Sequence, residues 1–390
     1  MIKQFYVILT PFFPSEENFT GPFVYDQVKA IQDESDFDVI VIKTTNSGSN
    51  QSYNYNGIQV HQIKLLDIPS FLLPGLFSKV NVAKLTRKLI ELTSNKLDSI
   101  KFIHGHVTYP FGVLAVQLAK KIGAEAIVQH HGFDVMGYTN GRFQSKWIRS
   151  INKYWINQFH VPLLNQANWN IGVSQKTLDE LNAIPGYKPT QEYVLYNGIN
   201  TKKFYPIADQ KDLGKFTIGC VANFWHIKDQ ITLIKAVNEL IKGKYNSIQV
   251  FFIGTGVTLS SCQEFVIENH LQENIFFLDT VQHHELLHFY NMLDLFVLPS
   301  YWEAFGCVYL EAHACGVPFI AVKDQGISEM VKNENIERQL INRSNVEELQ
   351  EQILYYFENR TFFPDMRIDY SIDYLIGSFL TEINNKYTNS

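Results

Sequence analysis

The chain has 390 residues, of which 46% are hydrophobic and 18% are charged, a composition that is typical of folded proteins and excludes extensive disorder. This length is too great for one ordinary hydrophobic core and predicts two domains of about 200 residues each. The formal net charge of −6 argues against the basic surface on which nucleic-acid-binding proteins depend, so we expect no nucleic-acid partner.

The cysteines and the first apolar run bear on the compartment. Cys220, Cys262, Cys307 and Cys315 show no C-x-x-C spacing, which is typical of buried free thiols in a reducing compartment. The first apolar run, residues 5–9, is shorter than the apolar core of a signal peptide or a membrane span. We therefore expect a cytoplasmic protein, with peripheral contact at the inner membrane face left open.

Apolar runs alternate with amphipathic stretches from residue 5 onward. In the first half this pattern predicts strands at residues 5–9, 39–42, 102–105 and 126–129 and helices near residues 23–35, 79–95 and 112–122. Later strands are predicted at residues 216–221, 248–253, 275–278, 295–298 and 318–322, and a last helix at residues 372–386. Such alternation is typical of parallel sheets covered by helices on both faces. The predicted fold class is α/β, with two doubly wound, Rossmann-like domains.

Turn-forming residues between Asn197 and Pro206 interrupt both series and predict the domain boundary. We predict an N-terminal domain over residues 1–203 and a C-terminal domain over residues 204–368. Open parallel sheets bind ligands at the carboxyl ends of their strands, so two such domains facing each other would form a binding cleft.

Two glutamates follow the predicted strand at residues 295–298. Glu303 comes where that strand ends, and Glu311 lies eight residues later, about two turns into the helix expected next. Gly306 would let an anion approach the backbone, and the N–H groups at a helix start attract phosphate. The stretch therefore predicts a phosphate site with a carboxylate on either side for hydroxyl groups.

This arrangement closely resembles the E-x7-E signature of retaining glycosyltransferases of the family 4 type, which have the GT-B fold. The resemblance implies a nucleotide-sugar donor, with Glu303 on the donor sugar and Glu311 on the ribose. It implies that amides near Phe305 and Gly306 hold the diphosphate. It also implies that a C-terminal helix, within residues 369–390, crosses back to the N-terminal domain.

A lysine follows another predicted strand. Lys228 could neutralise part of the charge of a diphosphate, which is costly to desolvate unpaired, or it could be an ordinary surface residue. Residues 219–229 resemble the family's G-R-x-x-x-x-K-G element, in which an arginine and the lysine hold the donor diphosphate. Here Asn223 replaces the arginine and Asp229 the last glycine, which implies weaker donor binding or a different phosphate pose.

Histidines follow two predicted strands of the first half. Residues 129–134 resemble the family's T-x-H-G-x-D segment, which implies that His131 lies beside the donor sugar. His104 and His106 end a neighbouring strand, and with His130 and His131 they raise the alternative of a zinc site. No carboxylate or thiolate stands at a defined metal-ligand spacing from them, so we expect a polar cluster and no metal.

Gly21 lies in the loop where the family usually has a glycine-rich stretch near the donor phosphate or the acceptor, although Pro22 removes one amide. His284 and His288 are spaced four apart on or beside a helix predicted at residues 285–292, but without a third ligand a solvated face is expected. By resemblance the candidate catalytic residues are His131, Glu303 and Lys228, and the candidate donor-binding residues are Asn223, Lys228, Glu303, Ala304, Phe305, Gly306, Glu311 and Gly21.

Residues 142–155 combine basic and aromatic side chains at helical spacing. The basic residues are Arg142, Lys146, Arg149 and Lys153, and the apolar ones are Trp147, Ile148, Ile151, Tyr154 and Trp155. Such a helix could lie on an anionic membrane surface, or it could be an ordinary surface helix with its apolar side in the core. Residues 70–77 form another apolar stretch that could belong to an acceptor pocket or a membrane contact.

We interpret the sequence as that of a retaining glycosyltransferase of the hexosyltransferase type, which transfers a sugar from a nucleotide-diphosphate sugar to a hydroxyl acceptor. The resemblance favours a glycan or a lipid-linked glycan as acceptor, in surface polysaccharide synthesis. A UDP-sugar is favoured over a GDP-sugar as donor substrate, and no cofactor is expected. Two alternatives stay open: a non-catalytic GT-B partner subunit, to which the Asn223 replacement points, and a sugar-nucleotide epimerase.

Overall fold

The computed structural model describes residues 4–44, 51–67, 73–140 and 146–385. The chain divides into two compact units. The first consists of residues 1–197 and 372–390, and the second of residues 198–371. Among the described residues, the first unit contains a sheet of eight strands and the second a sheet of six.

The strands of the first unit are β1 (Phe5–Thr10), β2 (Asp38–Thr44), β3 (Tyr53–Tyr55), β4 (Ile58–Ile63), β5 (Ile100–His106), β6 (Glu125–His130), β7 (Trp169–Gly172) and β8 (Glu192–Val194). They lie in the order β3-β4-β2-β1-β5-β6-β7-β8. The pairing of β3 with β4 is antiparallel and the other pairings in this sheet are parallel. Asn56 and Gly57, both with positive φ, form the tight turn of the β3–β4 hairpin.

The helices of the first unit are α1 (Pro22–Asp33), α2 (Ser78–Leu92), α3 (Val113–Ile122), α4 (Phe133–Asn140), α5 (Lys146–Trp155), α6 (Val161–Leu164) and α7 (Gln175–Asn182). A π-helical turn at Ile156–His160 joins α5 to α6. Both faces of the sheet are buried. Val7 and Leu9 pack into the core on one face, and Tyr6 and Ile8 into the core on the other. Side chains alternate along a strand, so a sheet covered on both faces needs continuous apolar runs.

The second unit contains the strands β9 (Phe216–Val221), β10 (Ile248–Ile253), β11 (Ile275–Leu278), β12 (Leu295–Val297), β13 (Phe319–Val322) and β14 (Leu340–Ile341). Their order is β11-β10-β9-β12-β13-β14, with every one of these pairings parallel. The helices of this unit are α8 (Gln230–Lys242), α9 (Leu259–Glu268), α10 (Leu286–Asn291), α11 (Cys307–Ala314), α12 (Ile336–Gln339) and α13 (Val346–Glu358).

The last helix, α14 (Ile372–Asn385), groups with the first unit. Its buried residues recur at intervals of three and four, and they join the core on the α1 face of the first sheet; they are Ile372, Leu375, Ile376, Phe379, Leu380 and Ile383. The unit boundaries fall after residues 197 and 371, whereas the sequence pattern placed the domain boundaries after residues 203 and 368.

The predicted α/β class with two doubly wound, parallel-sheet domains is confirmed, and the strands read from apolar runs all form. The pattern did not predict β3, β4, β7, β8 and β14. In β7 the reason is a buried polar residue. Asn170 interrupts the apolar run, and its side chain is satisfied by His130 Nε2 at 3.1 Å and by Leu164 O at 2.9 Å.

Candidate functional site

Four loops begin at the same edge of the second sheet. The strands β10, β9, β12 and β13 are parallel neighbours, so their carboxyl ends point in one direction. The loops that leave them comprise residues 222–229, 254–258, 298–306 and 323–325. The predicted site residues of the second unit lie on two of these loops and on α11, with a third loop supporting them. This edge is where open parallel sheets bind ligands.

Lys228 and Glu303 form an ion pair between the loops after β9 and β12, through Nζ and Oε1. Glu303 is buried, and its backbone N–H donates to Gln325 Oε1 at 2.7 Å. Gln325 in turn donates from Nε2 to the carbonyl oxygens of Tyr301 and Lys323, at 3.2 Å each. The loop after β13 therefore fixes the backbone at Glu303, and Lys228 binds its carboxylate.

The two loops that carry this ion pair are also joined through their backbones. Ile227 O accepts hydrogen bonds from Ser300 Oγ at 2.8 Å and from Tyr301 N–H at 3.0 Å. On the side of β10, Phe224 N–H donates to Thr255 O at 2.9 Å. The backbone of the loop that carries Lys228 is thus held from both neighbouring loops.

Two side chains from the segment before β12 hold Glu311. His283 Nε2 lies 3.0 Å from Glu311 Oε1, and Tyr290 OH donates to Oε2 at 2.8 Å. Burial, reinforced by the Glu311 charge, raises the pKa of the Tyr290 hydroxyl well above its usual range, so the hydroxyl remains a donor. Because each carboxylate oxygen can accept two hydrogen bonds, Glu311 is oriented and still has acceptor capacity.

Gly306 leads the chain into α11 in a left-handed conformation with φ of 88°. A Cβ atom there would lie 2.6 Å from Tyr309 Cε2, so both the backbone and the packing require glycine. Gly326 packs so closely on the carbonyl oxygen of Ala304 that a Cβ atom would overlap it, and Phe305 is buried. The backbone before α11 is therefore tightly fixed at the positive end of the helix dipole.

Asn223 and Asp229 are the two departures from the expected lysine element. Asn223 is exposed, and its carbonyl oxygen accepts from Gln230 Nε2 at 3.1 Å. Asp229 has φ of 49°, in the left-handed region that glycine favours and aspartate tolerates. Its Oδ2 accepts from Thr232 Oγ1 at 2.9 Å and from Ser344 Oγ at 2.7 Å. Asp229 thus keeps the backbone that glycine would give, whereas Asn223 brings no charge where arginine was expected.

The other two predicted site residues lie in the first unit. His131 follows β6, and its backbone N–H donates to Asp134 Oδ1 at 3.0 Å. The rings of Phe12 and Phe23 have centroids 6.1 Å and 5.2 Å from that of His131. Gly21 precedes α1 with φ of 84°, and a Cβ atom there would lie 2.8 Å from Phe12 Cβ. Phe12 therefore connects Gly21 with His131.

Behind His131 the imidazoles of three histidines stack, and we call His104, His106 and His131 the histidine column. The ring centroids are 4.7 Å apart between His104 and His106 and 5.3 Å apart between His106 and His131. Tyr6 OH lies 2.9 Å from His104 Nδ1 at the inner end. Burial lowers the pKa of His104 to about 3, that of His131 to about 4 and that of His106 well below its usual range. The column is therefore uncharged near neutral pH.

His130 points away from the column, with Nδ1 2.7 Å from Thr108 Oγ1 and Nε2 3.1 Å from Asn170 Oδ1. Within the part of the chain that the structure describes, no three or more His, Cys, Asp or Glu side chains are grouped to hold a metal ion. His284 and His288 are both exposed, and the helix predicted for them begins later: His284 lies in a 3-10 turn and His288 in α10.

The basic, aromatic helix predicted at residues 142–155 is present as α5 from Lys146 onward. Trp147 and Tyr154 are 72% and 66% exposed, so the aromatic side chains are not all in the core. Arg142 and residues 70–72 of the predicted apolar stretch lie outside the described residues. None of the helices formed by described residues is long and apolar enough to span a bilayer.

Sequence reasoning missed three residues that support the site: His283, Tyr290 and Gln325. Each reaches a predicted site residue more than twenty positions away, across the fold. No local pattern identifies such partners, because their side chains are ordinary members of a turn, a helix and a loop. The one indication in the sequence was chemical: if the two glutamates are buried, their carboxylates require hydrogen-bond donors from elsewhere in the fold.

Two family models match adjoining parts of the chain. The model described as Glycosyltransferase Family 4 matches residues 21–203, and the model described as Glycosyl transferases group 1 matches residues 202–371. Together they span residues 21–371, a range that contains every predicted site residue.

Several curated proteins are related in sequence. An uncharacterised glycosyltransferase of Methanocaldococcus jannaschii is 26% identical over 295 residues, which are 73% of this chain and 72% of that protein. The UDP-Gal:alpha-D-GlcNAc-diphosphoundecaprenol alpha-1,3-galactosyltransferase of Escherichia coli is 23% identical over 68% of this chain and 69% of its own length. The GDP-mannose-dependent monoacylated alpha-(1-6)-phosphatidylinositol monomannoside mannosyltransferase of Corynebacterium glutamicum is 31% identical, but over only 41% of this chain and 45% of its own length.

Solved structures are similar over nearly the whole chain. Sucrose-phosphate synthase from Thermosynechococcus elongatus gives a TM-score of 0.72 at 16% identity, covering 99% of this chain and 100% of that one. HepE of Anabaena, solved in complex with UDP and glucose, gives a TM-score of 0.67 at 16% identity, covering 99% of each chain. At this identity the likeness shows the fold alone.

Proposed function

Because the chain belongs to the family 4 type of glycosyltransferases, with the GT-B fold, we propose that it is a retaining enzyme that transfers a sugar from a nucleotide-diphosphate sugar to an acceptor hydroxyl. One observation carries the proposal. Glu303 precedes the helix start at Gly306 and Glu311 lies within the helix, and the carboxylate of each is held by side chains from other segments of the unit.

We assign the donor diphosphate to Lys228 and the start of α11. An ammonium group has three N–H donors, so Lys228 can bind Glu303 and a phosphate oxygen together. Such charge-assisted hydrogen bonds are about twice as strong as neutral ones. The backbone from Ala304 to Gly306 leads into the positive end of α11, which adds attraction for an anion. Because Asn223 is neutral, diphosphate binding should depend strongly on Lys228.

We assign the ribose hydroxyls to Glu311. His283 and Tyr290 each take up one acceptor direction on its two oxygens. A second direction at each oxygen can accept a hydrogen bond from a hydroxyl group. The spacing of two hydroxyls on one ribose suits the two oxygens of one carboxylate, and this supports the assignment.

In the proposed reaction, the bond between the sugar C1 and the diphosphate oxygen breaks, and the acceptor oxygen forms a bond to the same carbon. The proton of the acceptor hydroxyl goes to the departing diphosphate. Lys228 and the helix start would stabilise the charge that builds on that diphosphate. Retention of configuration and contacts of Glu303 and His131 with the donor sugar are part of the proposal and rest on the family pattern.

We propose a UDP-sugar as donor and a glycan or lipid-linked glycan as acceptor, in surface polysaccharide synthesis in the cytoplasm at the inner membrane face. The name of the Escherichia coli relative supports both choices, since it specifies UDP-Gal and a diphosphoundecaprenol acceptor. The name of the Corynebacterium relative specifies GDP-mannose, which makes GDP the alternative base.

Calorimetric titration of the purified chain with UDP and GDP tests the donor site. We expect UDP to bind and Glu311→Ala and Lys228→Ala each to lower its affinity at least tenfold. Glu351→Ala, which removes an exposed glutamate of α13, is the matched control and should bind UDP normally. Binding of neither nucleotide would contradict the assignment of this site.

Turnover distinguishes an enzyme from the non-catalytic partner subunit to which Asn223 points. UDP release should be followed with a panel of UDP-sugars and glycan acceptors, with Lys228→Ala as the inactive reference. Nucleotide binding without release from any pair would favour the partner subunit. The anomeric coupling of the product in proton NMR tests stereochemistry, and a β-linked product from an α-linked donor would rule out retention.

A further inference from the structure

Two segments of the first unit together form a surface that is both apolar and basic. One consists of residues 73–77 and the start of α2, and the other of α5 with the π-helical turn after it. We call it the α2/α5 surface. Its exposed apolar residues are Leu76, Phe77, Val80, Trp147, Ile151, Tyr154 and Phe159, and its exposed basic residues are Lys79, Arg149 and Lys153.

The exposed half of α5 carries two stripes. Trp147, Ile151 and Tyr154 follow one another by four and three residues, so they share one line along the helix. Arg149 and Lys153 are four residues apart and form a second line. This arrangement differs from that of an ordinary surface helix, whose large apolar side chains face the core.

The backbone at Pro74 attaches the second segment to the end of α5. Its carbonyl oxygen accepts from Trp155 Nε1 and lies close to His160 Nε2, at 2.8 Å in each case. Tyr109 OH accepts from Gly75 N–H at 2.8 Å, and the Tyr109 ring stacks on His160. The residues that follow, at the start of α2, are therefore held beside the aromatic end of α5.

The charge of the α2/α5 surface opposes that of the whole chain. The chain has 39 acidic and 33 basic residues, yet residues 68–90 contain four Lys or Arg and no Asp or Glu. Residues 135–178 contain five Lys or Arg and no Asp or Glu. The acids that border the first stretch have partners: Asp67 accepts from Tyr109 OH, and Glu91 pairs with Lys88.

We propose that the α2/α5 surface docks the protein on an anionic phospholipid bilayer. Aromatic and aliphatic side chains beside basic ones are the composition that binds the headgroup region, where the apolar groups enter and the cations meet lipid phosphates. The residues of the α2/α5 surface are not among those assigned to the nucleotide site. Loss of bilayer binding would therefore leave the proposed donor site untouched, and the reverse also holds.

Co-sedimentation of the full chain with vesicles tests this surface. Vesicles of phosphatidylcholine alone are compared with vesicles that contain rising fractions of phosphatidylglycerol. We expect binding to rise with the phosphatidylglycerol fraction and to fall as salt is added, because salt screens exposed charges. Absence of binding at every composition, or equal binding to neutral and anionic vesicles, would overturn the proposal.

Matched variants assign the binding to these residues. K79E/K153E reverses one charge in each segment and should weaken binding more than about twentyfold, since each basic side chain contributes about a fivefold factor. K96E/K235E makes the same charge change at exposed lysines elsewhere and should bind as the unchanged chain does. If both variants lose vesicle binding equally, the binding depends on net charge and not on the α2/α5 surface, and the proposal is overturned.

A third variant tests the apolar stripe. W147S/Y154S should weaken binding at least tenfold while the thermal unfolding midpoint and UDP affinity stay unchanged, because both side chains are exposed and lie outside the donor site. Sedimentation velocity in the absence of lipid is the second readout. If the unchanged chain self-associates, W147S/Y154S abolishes that association and no vesicle binding is seen, the surface binds a second copy of the chain and the bilayer proposal is overturned.

Discussion

His106 Nδ1 lies 3.1 Å from His131 Nε2, and the two imidazole rings stack. Burial lowers the pKa of both rings, to about 4 for His131 and well below the usual range for His106. Each neutral imidazole carries one N–H, so one ring must donate to the other. The tautomers of the two rings are therefore coupled, and His106 is a positioning residue for His131.

We expect His106→Phe to lower kcat for sugar transfer about tenfold or more, with little change in the KM for the donor. The reason is that His131 loses the hydrogen-bond partner to which its tautomer is coupled, whereas Lys228 and Glu311 are unchanged. His106→Asn offers an amide near the position of Nδ1 and should keep most of the activity. Steady-state kinetics of UDP release measures both variants, and an equal loss in both would show that His106 only fills space.

Tyr290→Phe should lower UDP affinity about five- to tenfold, because a hydrogen bond to a carboxylate contributes about 1.5–3 kcal/mol and part of it orients Glu311. Calorimetric titration measures the change. Tyr356→Phe is the matched control, since Tyr356 is equally buried in the same unit and its hydroxyl has no hydrogen-bond partner among the described residues. Tyr356→Phe should leave UDP affinity unchanged, and a similar loss in both variants would refute the specific role of Tyr290.

Gly306→Ala should destabilise the chain by more than the cost of a left-handed alanine, which is about 1–2 kcal/mol. The extra cost comes from the contact between the new Cβ and the Tyr309 ring. Gly123→Ala isolates the backbone part, because Gly123 has φ of 76° but no atom within 4 Å of a Cβ position. Urea unfolding compares the two variants.

The same pair separates stability from binding. Gly306→Ala should also weaken UDP binding, because it moves the backbone that leads into α11, whereas Gly123→Ala should bind UDP normally. Equal unfolding midpoints for the two variants would show that the contact between the new Cβ and the Tyr309 ring adds no destabilisation.

Much of the fold could be read from the sequence because the strands at the centre of each sheet are buried on both faces, so most of them are apolar runs; β7, with Asn170, is an exception. The spacing from Glu303 to Glu311 was equally informative, since a strand end, a glycine turn and a helix fix their positions locally. At Asp229 the loss of the expected glycine suggested weaker donor binding or a different phosphate pose. The structure shows that Asp229 adopts the left-handed backbone conformation, which aspartate tolerates.

The rest could not be read locally. His283 and Tyr290 meet Glu311 only after α10 packs beside α11, and Gln325 meets Glu303 only because β13 and β12 are neighbours. The stacking of the histidine column likewise depends on β5 pairing with β6. Long-range pairing decides these contacts, and no spacing within one segment encodes it.

Acid should destabilise the first unit through its buried histidines. Burial lowers the pKa of His104 to about 3 and those of His131 and His160 to about 4, against 6.5 for an exposed histidine. Above pH 6.5 these groups are mostly neutral in both the folded and the unfolded chain, so they do not lower the free energy of unfolding. As the pH falls from 6.5 towards 4, the unfolded chain takes up protons that the folded chain does not, so the free energy of unfolding falls by up to about 1.4 kcal/mol per pH unit for each histidine.

His160→Gln tests this dependence, because its amide can still donate to Pro74 O, the partner of His160 Nε2, but cannot take up a proton. Between pH 7 and pH 5 the variant should lose about 1–2 kcal/mol less stability than the unchanged chain, measured by urea unfolding at each pH. His288→Gln removes an exposed histidine of α10 and serves as the matched control, with the pH dependence of the unchanged chain expected. If His160→Gln is as acid-sensitive as His288→Gln, protonation of His160 is not a cause of acid unfolding.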